Sequence, residues 1–523
     1  MPNEPREIEL KLTVAPADFA VLQTHPSFQE LLGQPIKVEM LKAVYFDTKD
    51  FVLRDHSVTL RVRREDDQFV QTIKSAVAES ASLLERHEWK QTIPSARPDL
   101  EAAATTPPGA VFSREVCAAL RPAFETKIER TLYRLAEGTK GIDIAWDQGE
   151  IVAGNRSTPV HEIELELKYG ERAALFDLAQ AIMAAVPAEL AFASKAERGY
   201  QLIEGKIGRV VATDETSLPG TATTGLGFQA IARDCLHHLV ANVPGMRARD
   251  PEALHQMRIA LRRLRTAISL FSDVVADRQV SAIKTELKWL SNAMSPARDL
   301  DALLGEVMKP LRKQHPGHRG LASLHRSFNR RRLEEYRHAA EAVQSARFRM
   351  LLLNTLAWVE VGEWVTSTDE MAHQRRDLPL ETFAAEQLGR RRKKIRKRGR
   401  EIEKLDPVRR HKLRIQVKKT RYATEFFATL FQEKKSARRG TKLLGALKRL
   451  QTSLGGLNDV TTRKALCAEM LLKPGRSSEG AAGRDRAFAA GLVTGDQEAR
   501  SAELLADAKK AHGQVEDIKP FWK

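Results

Sequence analysis

The hydrophobic period of this chain changes once, near residue 205, and that switch limits the fold more than any single motif does. Before it, short runs alternate or carry strand formers: Val44–Asp47, Val58–Arg63, Phe69–Lys74, Arg86–Lys90, Ile142–Asp147 and a run over 162–168. Helical stretches over 16–24, 111–121 and 171–186 interrupt them. Beyond about residue 227 apolar residues recur at helical spacing almost to the end. An antiparallel α+β half therefore precedes an all-α half. Residues 207–227, with their TSLPGTATTGLG stretch, read as a linker, which places the domains at 1–206 and 228–515.

At 523 residues the chain exceeds one ordinary core, and its 42% hydrophobic content is enough to bury several. The formal net charge of +17 points to an anionic partner. Cys117, Cys235 and Cys467 are too few and too scattered for a disulfide framework or a cysteine metal site. No stretch approaches the roughly 18 apolar residues of a membrane helix, and the N-terminus lacks a signal-peptide pattern. A soluble protein of the reducing cytoplasm, with no membrane partner, is expected.

Within the strand half, Glu7-Ile8-Glu9-Leu10-Lys11 is echoed by Glu162-Ile163-Glu164-Leu165-Glu166-Leu167-Lys168. Side chains alternate along a strand, so Glu7, Glu9 and Lys11 share one face and Ile8, Leu10 and Leu12 the other. Carboxylates crowded on a concave face raise one another's pKa unless a cation lies between them. Arg61 with Arg63, Thr72 with Lys74, and Arg130, Lys195 and Arg198 supply cations between and after the acidic strands. Acids that hold Mg²⁺ or Mn²⁺ beside bases that balance phosphate charge are what metal-assisted phosphoryl transfer requires. An ordinary alternative is that such alternation only makes exposed cross-strand ion pairs.

The helical half contains a repeat. His255, Arg258, Arg262 and Arg265 are matched by His411, Arg414, Lys418 and Arg421, and the two copies end at Phe271 and Phe427. Each set falls at i, i+3, i+7 and i+10 and forms one basic stripe flanking the apolar stripe. Each copy is followed by a second match, Arg298-Asp299 against Asn458-Asp459, so two similar bundles are expected over about 228–365 and 380–511. A solvated helix face is the ordinary explanation of a charge run, but it need not repeat its pattern. Thr420 and Thr424 weaken the apolar stripe of the second copy while every basic position persists. The run Arg390–Arg398 adds to the field, yet base-reading motifs and interleaved aromatics are missing, so a flexible polyanion fits better than a specific nucleic acid. No acidic cluster is evident beside these arginines, which favours binding over catalysis. There is no GxxxxGK[ST] loop, GxGxxG, HExxH or GxSxG.

Together these residues resemble a CYTH domain, the triphosphate tunnel metalloenzyme fold, followed by a CHAD domain. The first resemblance covers about 4–203 and rests on Glu7-x-Glu9-x-Lys11, Tyr45-Phe46-Asp47-Thr48, Leu60-Arg61-Val62-Arg63, Thr72-x-Lys74, Arg130, Asp143 with Asp147, Glu162-x-Glu164-x-Glu166, and Ser194-Lys195 through Arg198-Gly199-Tyr200. The second covers roughly 220–515 and rests on the paired His-x-x-Arg helices. The resemblance implies an eight-stranded antiparallel tunnel barrel in which Glu7, Glu9, Glu162, Glu164 and Glu166 hold metal and Lys11, Arg61, Arg63, Lys74, Arg130 and Lys195 hold phosphate. It makes Glu7, Glu9 and Lys11 the catalytic set, with two of the three glutamates of 162–166 completing the metal site. The implied activity is Mg²⁺- or Mn²⁺-dependent hydrolysis of inorganic triphosphate. Thiamine or nucleoside triphosphatase, adenylyl cyclase and a non-catalytic polyphosphate-granule protein are the alternatives. The helical half is expected to bind inorganic polyphosphate through its two basic stripes, which would allow association with polyphosphate granules.

Overall fold

The computed structural model describes residues 6–76, 84–213, 216–472 and 481–523. Nine strands precede the helical half: β1 (Arg6–Thr13), β2 (Lys37–Asp47), β3 (Val58–Glu65), β4 (Gln68–Ala76), β5 (Glu85–Ile93), β6 (Arg121–Glu137), β7 (Lys140–Ala153), β8 (Arg156–Tyr169) and β9 (Glu189–Ala191). The order β5-β4-β3-β2-β6-β7-β8-β1 closes when β1 returns to β5, giving the expected eight-stranded antiparallel barrel. β1 completes the closure by dividing one edge between two partners. Arg6, Glu7 and Ile8 oppose His87, Arg86 and Glu85 of β5, whereas Lys11, Leu12 and Thr13 oppose β9. Its other edge pairs Glu9 with Glu166 and Lys11 with Glu164 of β8.

The period-two pattern turns this barrel inside out relative to an ordinary core. Charged residues of β1, β3, β4 and β8 point inward, and Leu10, Leu12, Ile163 and Leu165 point outward under helices. Helix α1 (Ala173–Ala185) covers that outer wall with Leu175, Phe176 and Leu178. Helix α2 (Lys195–Ile203) starts from a Ser194 capping box and lies flush on the barrel, because a Cβ on Gly199 would stand 2.3 Å from the Phe124 ring.

Ten long helices carry the second half: α3 (Thr224–Ala241), α4 (Pro251–Leu270), α5 (Val280–Ala302), α6 (Arg319–Gln344), α7 (Ala346–Val361), α8 (Leu380–Gly399), α9 (Pro407–Phe427), α10 (Lys434–Leu472), α11 (Ala481–Ala499) and α12 (Ser501–Asp517). The duplication extends to the caps. Asp250 and Asp406 each precede a proline at the first helical position and accept from backbone N–H groups, Glu252 N at 2.7 Å and Arg409 N at 2.8 Å. The copies interlock, since Leu321, Leu324 and Phe328 of α6 share a core with Ala489, Ala490 and Val493 of α11. Thr420 and Thr424 are buried despite their polarity, and their hydroxyls donate back to the carbonyls of Gln416 and Thr420 at 2.8 and 2.9 Å.

Two observations refine the expected linker and its neighbours. The 207–227 stretch is packed where it is described: Leu218 and Ala222 are buried, and Val211 N donates to Asn242 Oδ1 at 3.0 Å. Thr223 caps α3 inside that stretch, so composition had marked an irregular backbone rather than a loose one. In addition, one apolar cluster runs from Leu10 and Leu165 of the barrel wall through Leu175 to Leu356, Phe228 and Phe427 of the helical half. Helix α7 lies against α1 and β9 at that junction.

Candidate functional site

The barrel encloses a cavity of about 90 Å³ lined by Glu7, Glu9, Lys11, Arg61, Arg63, Lys74, Arg130, Glu164, Glu166 and Lys195. β1 and β8 supply the acids from adjacent strands, and β3, β4, β6 and the start of α2 supply the bases. The three glutamates of 162–166 differ in depth. Glu166 is 30% exposed and accepts from Lys168, Glu164 is 13% exposed, and Glu162 is only 1% exposed. Glu162 does not line this cavity. Its carboxylate is enclosed by Lys195, at 2.9 Å, and by Arg198. A period-two reading assigns all three glutamates to one face and cannot tell how far along the barrel each one lies.

Nearly every cation in the tunnel is matched to an acid. Lys11 Nζ is 2.8 Å from Glu9 and 3.4 Å from Glu164. Lys195 Nζ lies 2.8 Å from Asp147, 2.9 Å from Glu162 and 2.8 Å from Glu164. Arg130 forks onto Asp147 at 2.7 and 2.6 Å and reaches Glu164 at 2.6 Å. Lys74 donates to Glu7 and sits 3.2 Å from Glu88. Burial pulls the Lys195 ammonium down, but Asp147, Glu162 and Glu164 outweigh it and hold its pKa well above the ordinary lysine value. For Glu164, burial pushes up and Lys195, Lys11 and Arg130 prevail, leaving it well below the usual carboxylate range. Glu7 goes the other way. Burial, reinforced by Glu9 and Glu88, raises it despite Lys74.

Three lining residues of the tunnel, Arg86, Glu88 and Lys90, were not among the expected site residues. They share one face of β5, and the alternation of Arg86-His87-Glu88-Trp89-Lys90 was the signal that could have found them. Burial raises Glu88, but Lys74, Arg61 and Lys90 bring it down to about 2. Asp147 is fully buried beneath Arg130 and Lys195 and acts as their brace, whereas Asp143 pairs at 2.6 Å with Arg134, which is half exposed.

Among the described residues no three acids already converge as a metal-ligand set. The donor chemistry nonetheless suits a hard divalent cation. Glu7 and Glu9 offer only carboxylate oxygens, and the raised Glu7 is the group whose burial beside like charges a cation would relieve. Mg²⁺ commonly takes one or two carboxylates and completes its shell with water and substrate phosphate, so a third acid is not required.

The helical stripes are electrostatically different. Arg258, Arg262, Arg414 and Lys418 stand on α4 and α9, which pack together; His411 and Arg265 reach the exposed ends. Each stripe meets one carboxylate of the second matched motif at long range, Arg258 to Asp299 at 3.8 Å and Arg414 to Asp459 at 3.9 Å, and the second stripe adds a close one at its far end. His255 accepts from Arg298 Nε at 3.0 Å, and His411 contacts Asn458 at 2.9 Å in the equivalent place. Arg421 is drawn to Gln451 at 2.9 Å and to Glu425 at 2.6 Å. Buried guanidinium nitrogens of Arg258, Arg391 and Arg414 find no hydrogen-bond partner among the described residues. Burial lowers Arg258 and Arg391 to about 10; burial with Arg262, Arg414, Arg258 and Arg421 lowers Lys418 to about 7. Arg391 comes from the basic run and lines a neighbouring cavity of about 240 Å³ with Lys394 and Lys419. Other members of that run are structural, as Arg392 donates to the carbonyl of Glu516 at 2.9 Å.

A barrel with a charged interior joined to a duplicated helical module with a basic seam defines a two-domain class of protein. Residues 5–200 match the CYTH domain model and residues 230–468 match the CHAD domain model, so the chain is a CYTH domain followed by a CHAD domain. A curated relative, an inorganic triphosphatase of Haemophilus influenzae, is 31% identical over 198 residues, covering 38% of this chain and 55% of the relative. The chain thus spans about half the length of the curated relative it matches. Among solved structures, the CHAD domain from the plant Ricinus communis is 28% identical, with a TM-score of 0.49 over 59% of this chain and 97% of that one. A Hippeastrum protein described as an adenylyl cyclase candidate with a dominant triphosphatase activity is 21% identical, with a TM-score of 0.26 over 38% of this chain and 96% of that one. Among the described residues no helix is long and apolar enough to cross a membrane.

Proposed function

We propose that the barrel hydrolyses inorganic triphosphate to diphosphate and phosphate with a divalent cation of the Mg²⁺ or Mn²⁺ type, and that the helical half binds inorganic polyphosphate. The observation that carries the first part is one enclosed cavity whose bases each have an acid within 4 Å, with Glu88 and Glu164 shared among several. Such a site is neutralised before substrate arrives, and it can exchange partners. When a triphosphate enters, Lys11, Arg61, Arg63, Lys74, Arg130 and Lys195 can transfer from carboxylates to phosphate oxygens, with the arginine forks fixing orientation. That exchange frees Glu7 and Glu9, with Glu164 and Glu166 across the β1–β8 register, to hold the cation. When bound, the cation supplies charge neutralisation on the phosphoryl oxygens and makes water more acidic. Asp147 and Glu162 keep Lys195 in place while its other contacts change. The low pKa of Glu88 keeps it ionised, so it orients Lys74 and Arg61 rather than moving a proton.

The second part rests on the unpartnered buried nitrogens of Arg258, Arg391 and Arg414. A buried guanidinium N–H without an acceptor is unfavourable, and a chain of phosphates supplies acceptors at repeated spacing without bases to read. Phosphate release from tripolyphosphate, measured with and without Mg²⁺, tests the hydrolase reading. ATP and thiamine triphosphate run in parallel distinguish the alternative substrates. Absence of Mg²⁺-dependent phosphate release from all three, and of cyclic nucleotide with diphosphate from ATP, would leave only the non-catalytic, polyphosphate-binding reading.

A further inference from the structure

Where the helical half meets the barrel lies a second cavity of about 280 Å³. Ligand pockets begin at roughly 300 Å³, so this space suits a small organic molecule better than a polymer. Its walls are of two kinds. Phe192, Val240, Phe348 and Leu352 form an apolar side, and Arg209, Arg247 and Arg349 border it with positive charge. Two carboxylates also face it, but both are engaged: Glu162 by Lys195 and Arg198, and Glu189 by Arg247. Arg209 and Arg349 have no carboxylate partner among the described residues, and the buried Nε atoms of Arg247 and Arg349 have no hydrogen-bond partner. Anionic oxygens are the acceptors that match such forks.

We propose that this interdomain cavity binds a small amphiphilic anion, a flat apolar body carrying one carboxylate, sulfonate or phosphate group. The body lies against Phe192 and Phe348, and the anionic group meets Arg209, Arg247 and Arg349. Tripolyphosphate and polyphosphate have no apolar surface and match only half of this lining. The position also gives the ligand a path to the tunnel. Glu162 borders the cavity, and its partner Lys195 touches Asp147 and Glu164 at 2.8 Å on the tunnel side. An anion that draws Arg198 away from Glu162 strengthens the hold of Glu162 on Lys195 and so weakens phosphate binding. This regulatory consequence rests on the hydrolase reading, whereas the binding site does not.

The test is a fluorescence titration of the full chain with 8-anilinonaphthalene-1-sulfonate, with N-phenyl-1-naphthylamine as the uncharged counterpart. The expected result is one sulfonate site per chain, weaker binding of the uncharged probe, and a loss of sulfonate affinity with tripolyphosphate that levels off at a fixed factor, as coupling between two separate sites requires. The double variant Arg209→Gln/Arg349→Gln should raise Kd at least tenfold, and Val240→Trp, which fills the cavity, should remove the site while circular dichroism stays unchanged. If Val240→Trp does not fold, the arginine variant alone decides. Unaltered affinity in the folded variants, or displacement by tripolyphosphate that grows without limit as competition for one site does, would overturn the proposal. Because the readout is binding, a chain that binds the probe without hydrolysing tripolyphosphate refutes the activity and leaves the site standing.

Discussion

The tunnel and the helical seam both concentrate cations, yet they handle them in opposite ways. In the tunnel, acids 2.6–2.9 Å away raise Lys195 and Arg130 above their ordinary values. In the seam, burial without close acids lowers Arg258, Arg414 and Lys418. The first arrangement is balanced and suited to exchange, because each base gives up one partner when it takes another. The second is left largely positive at its centre, where Arg258 and Arg414 reach a carboxylate only at 3.8 and 3.9 Å, so an anion added there has little to displace. Density of charge is thus a poor guide to role; the presence of close acids separates a site for chemistry from a site for holding.

The largest expected effect breaks the tunnel side alone. Glu9→Ala should lower tripolyphosphate turnover by roughly 10³-fold, the upper range for losing a charge-positioning group, while polyphosphate binding stays at the parent level. Retained turnover would refute the role of Glu9. The converse is the quadruple variant of Arg258, Arg262, Arg414 and Lys418 to Ala. Measured at pH 6, it should weaken polyphosphate binding on the order of 100-fold at low salt and reduce the slope of log K against log salt by about 3, at roughly 0.7 per cation removed. An unchanged slope would show that the polyanion binds elsewhere.

A smaller effect comes from Lys418, held down to about 7 by burial and by Arg262, Arg414, Arg258 and Arg421. An unfolded lysine titrates near ~10.4, so between about pH 7 and that value the unfolded chain binds more protons and folding stability rises with pH. Polyphosphate affinity should move oppositely, falling several-fold between pH 6 and 8.5 as the free protein loses this charge, with proton uptake on binding visible by calorimetry in two buffers. Lys418→Gln should flatten both profiles, and a wild-type affinity independent of pH would contradict the assignment. Smallest is Tyr200→Phe, which removes the 2.7 Å hydrogen bond to buried Asp47. Asp47 keeps its bonds from Thr48, Leu53 and Arg54, so a cost of about 1 kcal/mol in denaturant unfolding is expected, with turnover preserved.

Features carried by a period or a repeat could be read from the sequence. The inward faces of β1 and β8, the matched stripes of α4 and α9 and the switch to helices are all consequences of side-chain spacing. What could not be read depends on position along an element or on contacts between distant segments. Glu162, Glu164 and Glu166 look equivalent in sequence, yet Glu162 is sealed behind Lys195. Arg391 is buried while its neighbour Arg392 caps the C-terminal end of α12, a division that a run of nine residues conceals. Glu88 lies in a run that reads only as a strand, because its alternation does not say which face meets the tunnel.

The continuous apolar cluster from Leu10 to Leu356 and Phe427 has a consequence for how this molecule comes apart. Two halves of unlike architecture that share one interior should lose it together, in a single cooperative melting transition detected equally by barrel and helix probes. A cut after residue 206 would uncover the faces of α1 and β9 that pack against α7, and either fragment alone should be prone to association. For this chain the boundary between structural families should not act as a boundary between folding units.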